Sequence, residues 1–80
     1  MQSMQILAED TIGQRIRRAR QRKGWTQAEL GLRSGLRESM ICKYELDYHT
    51  PSTKHLSRIA DALGVSVDYL LGRSEHENQA

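Results

Sequence analysis

Helix start and stop signals recur at short intervals along this chain and divide its 80 residues into five segments. In four of them, a Ser or Thr that suits a helix N-cap precedes apolar residues at helical spacing, and a glycine follows. The pairs are Thr11 with Gly24, Thr26 with Gly35, Ser52 with Gly64, and Ser66 with Gly72. The remaining segment runs from about residue 37 to residue 45. We therefore predict an all-α fold, a compact five-helix bundle without strands.

The apolar positions of these segments define the expected core of one small domain, residues 11–72. The expected core residues are Ile12, Ile16, Ala19, Leu30, Leu36, Ile41, Tyr44, Leu56, Ile59, Ala60, Leu63, Val65, Val67 and Leu70. Residues 1–10 lack periodicity and are expected to form a flexible arm. The polar residues 73–80 are expected to be a disordered tail.

The charge of the chain is unevenly distributed, although its net value is only +2. Residues 11–60 hold 11 of the 12 Lys and Arg against four acids, which gives this region a balance of +7. The first ten residues carry −2 and the last twenty carry −3. A basic body of this kind favours a polyanionic partner, and the alternative is a solvated surface of uneven charge.

Several classes of function find no support in the residues. No Ser/His/Asp set, carboxylate pair or phosphate-binding loop is present, so we expect no enzyme, no cofactor and no small-molecule ligand. The three histidines, His49, His55 and His76, lack metal-ligand spacing, so no metal site is expected. The single cysteine, Cys42, suits a reducing compartment. No membrane-spanning or secretory pattern is evident, and we expect a cytoplasmic protein without membrane contact.

The stretch TQAELGLRSGLRESMICKYE, residues 26–45, has the pattern of two helices joined by a short turn that contains glycine. This is the helix-turn-helix arrangement. Gly35 falls where the chain must turn sharply and suits a positive φ. Gly31 is expected to let helices 2 and 3 approach closely, and Ile41 is expected to fill the space between them.

The chain resembles the Cro- and repressor-type helix-turn-helix proteins, the XRE family, over about residues 12–72. The resemblance is carried by RIRRARQRKGWTQAEL, GLRESMICKYE, and PS followed by HLSRIADALGVSVDYLL, in that order. It implies a phage-repressor-like DNA-binding domain of five helices that binds operator DNA, usually as a two-fold dimer. Two positions depart from the family pattern: Gly31 stands where alanine is common, and Arg37 stands where Ser or Thr often caps the recognition helix.

The resemblance also implies roles for individual residues. Gln27 is expected to contact a DNA phosphate and to brace the start of the recognition helix, residues 37–45. An ion pair is expected between Arg20 and Glu45. The residues expected to contact bases are Arg37, Glu38, Ser39 and Lys43. Those expected to contact phosphates are Gln27, Thr26, Lys23, Tyr48, His49, Thr50 and Lys54.

The chemistry of the base-contacting set is consistent with major-groove reading. Glu38, Ser39 and Lys43 lie near one helical face. Lys43 can donate to guanine, and Glu38 can accept from cytosine. The alternative for Glu38 is a structural role, as an acid stabilised at a helix N-terminus.

The last helix allows two interpretations. Its apolar side chains, Val67, Tyr69, Leu70 and Leu71, either complete the core or form a homodimer interface, and we expect dimerisation. The chain is predicted to be a sequence-specific transcriptional regulator, a repressor that binds double-stranded DNA at a palindromic operator. The alternatives are an antitoxin or a restriction–modification controller of the same fold, or a protein-interaction module that has lost DNA binding.

Overall fold

The computed structural model describes residues 11–73, which form five α-helices. These are α1 (Ile12–Lys23), α2 (Gln27–Ser34), α3 (Glu38–Glu45), α4 (Thr53–Leu63) and α5 (Val67–Leu70). Within this part of the chain there is no strand, so the predicted all-α fold is confirmed. The arm expected at residues 1–10 lies outside the described residues, as do residues 74–80 of the expected tail.

The helices begin and end where local side-chain chemistry places them. Thr26 forms a complete capping box, because its hydroxyl accepts from the Glu29 N–H at 3.1 Å and the Glu29 carboxylate accepts from the Thr26 N–H at 2.9 Å. At α1 the hydroxyl of Thr11 accepts from the Gln14 N–H at 3.1 Å, which is half of such a box. Gly35 ends α2 with a φ of 74°, as predicted. Arg37 precedes α3 without any side-chain cap hydrogen bond.

The core lies between all five helices, and its five largest fully buried side chains are Ile16, Leu30, Ile41, Ile59 and Leu70. The expected core is buried except for Ile12, Leu36 and Val67, which pack against its edge and are half-buried. Burying a side chain of this size contributes about 1.5–3 kcal/mol. The fold therefore depends on a small set of buried aliphatic side chains to which every helix contributes.

The α5 residues expected at a dimer interface divide into two groups. Tyr69 and Leu70 lie in the core of the single chain, with exposed fractions of 5% and 0%. Their burial agrees with the first of the two interpretations of the last helix, that these side chains complete the core, and the homodimer interface stays a prediction. Val67 and Leu71 are half-buried and keep some exposed surface.

Gly31 lies in close contact with the turn that leads into α3. A Cβ at this position would lie 2.7 Å from the carbonyl oxygen of Leu36 and 3.3 Å from the backbone nitrogen of Glu38. The Leu36 N–H donates to the Gly31 carbonyl at 2.8 Å. The predicted close approach is therefore present, and it joins α2 to the start of α3 by backbone contact.

None of the helices in residues 11–73 combines the length and the apolar character that a bilayer crossing requires.

Candidate nucleic-acid interface

One side of α3 is exposed and polar, and the other side is buried. Ile41 and Tyr44 face the core, whereas Glu38, Ser39 and Lys43 are exposed, as is Arg37 just before the helix. The four residues expected to contact bases therefore all reach solvent. Between the two faces, Met40 and the free thiol of Cys42 are half-buried.

The residues expected to contact phosphates flank this helix in the sequence, and none of them lies in the core. Lys23, Thr26, Tyr48, His49, Thr50 and Lys54 are exposed, and Gln27 is half-buried. Tyr48 is 73% exposed although it is aromatic. Its backbone N–H donates to the Lys43 carbonyl at 2.9 Å, which attaches the loop of residues 48–50 to the end of α3.

A buried ion pair joins α1 to the end of α3. The Arg20 guanidinium donates from Nε to Glu45 Oε2 at 2.7 Å and from Nη2 to Oε1 at 3.0 Å. The exposed fractions of the two side chains are 12% and 2%. Arg20 also donates from Nη1 to the Trp25 carbonyl at 2.8 Å. The pair implied by the family resemblance is present, and it extends to the turn between α1 and α2.

Gln27 joins the same network. Its Nε2 donates to Glu45 Oε1 at 3.0 Å, so it binds the last residue of α3. The resemblance implied that Gln27 braces the start of the recognition helix, and the hydrogen bond instead lies at its end. The reason is that α2 begins next to the Arg20–Glu45 pair, where a buried carboxylate needs more than one donor.

A second polar contact joins α3 to α4. The Tyr44 hydroxyl lies 2.7 Å from Nδ1 of His55, and the two rings meet edge to face with centroids 6.0 Å apart. Burial raises the pKa of the Tyr44 hydroxyl above its usual value of 10.0. Sequence reasoning placed Tyr44 inward but gave no role to His55. The only signal for this contact was an inward-facing hydroxyl that requires a partner.

Several basic side chains of α1 and α2 make contacts within the molecule. The Arg15 guanidinium lies over the Tyr69 ring at 5.1 Å and donates to the Tyr69 carbonyl at 3.2 Å. Arg22 lies 3.4 Å from the Tyr69 hydroxyl. In the turn that follows α1, the centre of the Trp25 ring lies 4.4 Å from the Arg33 guanidinium and 5.7 Å from the Lys23 ammonium. These contacts orient the side chains without neutralising their charges, and Arg22, Lys23 and Arg33 remain exposed.

An acidic residue that sequence reasoning did not single out lies in the turn after α3. Asp47 has a φ of 61°, and its carboxylate accepts from the Thr11 hydroxyl at 2.6 Å and from the Gly13 N–H at 3.1 Å. The available signal was indirect: α1 has no acidic residue in its first turn, where one is favourable.

A glycine-containing turn followed by an exposed polar helix, held from behind by buried polar contacts, defines a helix-turn-helix domain of the DNA-binding type. The sequence profile described as "Helix-turn-helix" matches residues 16–70. The chain belongs to this helix-turn-helix family, in agreement with the XRE-type resemblance.

Curated relatives include regulators and repressors. The chain is 37% identical over 65 residues to the HTH-type transcriptional regulator ImmR of Bacillus subtilis, which covers 81% of this chain and 51% of ImmR. It is 36% identical over 62 residues to the immunity repressor protein of Bacillus phage phi105, which covers 78% of this chain and 43% of that protein. The chain thus spans about half the length of these relatives.

The fold is also similar to a solved repressor structure. The P22 c2 repressor in complex with a synthetic operator superimposes with a TM-score of 0.76 at 33% identity, covering 80% of this chain and 97% of the repressor chain.

Proposed function

We propose that this chain is a sequence-specific DNA-binding transcriptional regulator, a repressor that lays α3 in the major groove of its operator. The observation that carries the proposal is the exposed polar face of a helix whose other face is fixed by the core and by the Arg20–Glu45 pair. The major groove of DNA admits one helix, and its base edges offer the donors and acceptors that such a face can read. Binding of this kind requires no catalytic group and no cofactor.

In this proposal, residues along the exposed face of α3 read bases, and the flanking residues grip the DNA backbone. Lys43 donates to guanine, Glu38 accepts from cytosine N4, and Ser39 and Arg37 complete the base-contacting set. Phosphates are contacted by the second N–H of the Gln27 side-chain amide and by the loop of residues 48–50, together with Thr26, Lys23 and Lys54. Phosphate contacts supply most of the affinity and make it strongly dependent on salt.

The proposed regulator binds as a homodimer to a palindromic operator in the cytoplasm. Two-fold symmetry would place the half-sites about one helical turn, or roughly 10 bp, apart. The exposed parts of Val67 and Leu71 are the α5 surface that remains available to a second copy. Light scattering should find a dimer at high micromolar concentration, and a monomer under that condition would count against this arrangement.

The first experiment selects duplexes from a random DNA pool with the full chain at about physiological salt. We expect an enriched inverted repeat. Pools that stay unenriched, with only weak and salt-sensitive binding, would contradict the proposed function.

A matched pair of variants then tests the assigned face. Lys43→Gln removes one exposed positive charge from α3, and Arg58→Gln removes one from the exposed side of α4. Loss of a good base contact costs about 1–3 kcal/mol, so Lys43→Gln should weaken binding about 5-fold to 150-fold and relax the preference at one base pair. Arg58→Gln should change affinity much less and leave the selected sequence unchanged. Equal effects of the two changes would show that Lys43 does not read a base.

A further inference from the structure

The turn after α3 holds Asp47 in a backbone conformation that side chains rarely adopt. Among residues 11–73 it is the one non-glycine residue with a positive φ, at 61°. Asp is one of the few residues that tolerate this left-handed region. Since glycine would enter it without strain, the presence of Asp47 calls for a role of its carboxylate.

That carboxylate binds the beginning of α1, the first helix of the domain. Oδ2 accepts from the Thr11 hydroxyl at 2.6 Å, and Oδ1 accepts from the Gly13 N–H at 3.1 Å. The first N–H groups of a helix have no partner within it, and negative charge is favourable there. Asp47 therefore supplies α1 with the first-turn acid that its own sequence lacks.

The opposing surface of α1 is shaped to admit this turn. Gly13 is buried, and a Cβ at this position would lie 2.6 Å from the Glu45 carbonyl oxygen and 2.8 Å from Asp47 Oδ1. Real Cβ atoms essentially never approach other atoms that closely. The end of α3 and the turn therefore sit against α1 only because residue 13 has no side chain.

The turn is continuous with both parts of the proposed DNA interface. The Asp47 N–H donates to the Tyr44 carbonyl at 3.1 Å, and the Tyr48 N–H donates to the Lys43 carbonyl at 2.9 Å. Residues 48–50 follow directly. A change in the position of Asp47 is therefore passed on to the loop within one residue, whereas the exposed start of α3 lies nine residues away in the sequence.

We propose that Asp47 is a positioning residue for DNA binding: by holding the turn against Thr11 and Gly13, it sets where residues 48–50 meet the phosphate backbone. Asp47 itself touches no DNA in this proposal. A carboxylate beside phosphates is electrostatically unfavourable, but here both its oxygens accept hydrogen bonds from α1. The proposal rests on the proposed function and adds a determinant that none of the base- or phosphate-contacting residues provides.

Two substitutions separate the hydrogen bonds of Asp47 from its charge and its backbone conformation. Asp47→Gly retains access to the positive φ and removes the side chain. Asp47→Asn tolerates the same φ, keeps an acceptor for the Gly13 N–H, and removes the negative charge. Both are expected to fold, and thermal unfolding followed by circular dichroism verifies this before binding is measured.

Binding is measured on the duplex selected by the natural chain, over a range of salt concentrations. For Asp47→Gly we expect about tenfold weaker binding and the same selected base sequence. The slope of log affinity against log salt concentration should fall in magnitude by the amount of about one phosphate contact. Asp47→Asn should bind within about threefold of the natural chain, because its amide oxygen can accept from the Gly13 N–H and its amide nitrogen can donate to the Thr11 hydroxyl. Thr11→Val, which removes the donor on α1, should weaken binding less than Asp47→Gly and add little to it in the double variant.

The outcomes distinguish this proposal from the proposed function. If the natural chain selects an inverted repeat but Asp47→Gly binds it with unchanged affinity and salt slope, only the positioning role is overturned. The same holds if Asp47→Asn is as weak as Asp47→Gly. If the natural chain selects no sequence, the proposed function fails and the positioning role fails with it. Amide exchange in the free protein gives a readout without DNA: the Gly13 N–H should exchange faster in Asp47→Gly and remain protected in Asp47→Asn.

Discussion

Replacing Arg20 by methionine tests whether the buried ion pair holds α3 in place. The substitution keeps most of the apolar stem and removes the guanidinium that donates twice to Glu45 and once to the Trp25 carbonyl. The Glu45 side chain is only 2% exposed, so its carboxylate would remain buried, with the hydrogen bond from Gln27 Nε2 still in place. Removing one partner of a buried pair costs about 3–5 kcal/mol.

That loss is large beside the stability of the whole domain. At about 0.05–0.15 kcal/mol per residue, a domain of this size unfolds with a free energy of about 4–12 kcal/mol. Arg20→Met should therefore lower the urea midpoint severely or unfold the chain at 25 °C. Urea titration followed by circular dichroism measures the change, and Trp25 fluorescence reports on the turn that Arg20 binds.

A matched control and a compensating variant complete the experiment. Arg17 is an exposed arginine of the same helix, and Arg17→Met should change the unfolding free energy by no more than about 0.5 kcal/mol. The double variant Arg20→Met, Glu45→Met removes both charges and should recover most of the stability, since an apolar pair can replace a buried ion pair. The reasoning is refuted if Arg20→Met costs no more than Arg17→Met, or if the double variant is less stable than Arg20→Met alone.

Three further substitutions probe the joints and caps of the domain. Tyr44→Phe removes the hydrogen bond to His55 and should cost about 0.5–1.5 kcal/mol in urea. Because burial raises the pKa of the Tyr44 hydroxyl, this residue contributes stability below pH 10.0 that is lost as pH rises through its folded-state pKa. The urea midpoint of the natural chain should therefore fall at increasing alkaline pH, and the Phe variant should lack that contribution. Gly31→Ala brings a Cβ to 2.7 Å from the Leu36 carbonyl oxygen, and this overpacking should cost about 1–3 kcal/mol of unfolding free energy despite the better helix propensity of alanine. The melting temperature should therefore fall, and an unchanged or higher melting temperature would contradict this. Thr26→Ala removes the capping hydroxyl and should cost about 1 kcal/mol in urea, which Thr26→Ser should recover.

The helix boundaries could be predicted because the signals for them lie within a few residues of each other. Thr26 and Glu29 satisfy each other's backbone groups across three residues, and Gly35 ends the same helix nine residues after Thr26. The core followed from periodicity for the same reason, and the misassigned positions lie at its edge. The sequence did not decide whether Tyr69 lies in the core or at an interface, because it does not reveal that Arg15 and Arg22 of α1 contact the Tyr69 ring and hydroxyl.

The Gly31 position illustrates a different limit of sequence reasoning. The sequence predicts a close approach of helices 2 and 3 at Gly31, and the family pattern, which commonly has alanine there, adds a cost of about 1 kcal/mol in helix propensity. The structure adds the Leu36 carbonyl, whose distance from a hypothetical Cβ depends on how the turn is built. Local propensity and tertiary space therefore favour opposite residues at this position, and the steric term is the larger one.

Three of the polar contacts that the sequence did not reveal lie at the end of α3. Gln27 binds Glu45, His55 binds Tyr44, and Asp47 binds α1 just beyond the helix. Each joins residues at least 11 positions apart, and such contacts leave no local periodicity or spacing from which they could be predicted.

The start of α3 is held differently. Arg37 makes no cap hydrogen bond, and the attachment there consists of the Leu36 N–H donating to the Gly31 carbonyl together with apolar packing of Leu36 and Met40. Three of the four residues expected to read bases, Arg37, Glu38 and Ser39, lie at this end, whereas Lys43 lies in the last turn of α3 and the loop expected to grip phosphates follows it. Phosphates occupy similar positions in every duplex, so contacts to them need a fixed geometry. Base edges differ between sequences, so reading them needs side chains that are exposed and not packed in the core. The division of α3 into a fixed end and an exposed start is therefore consistent with one helix that both sets the docking geometry and reads sequence.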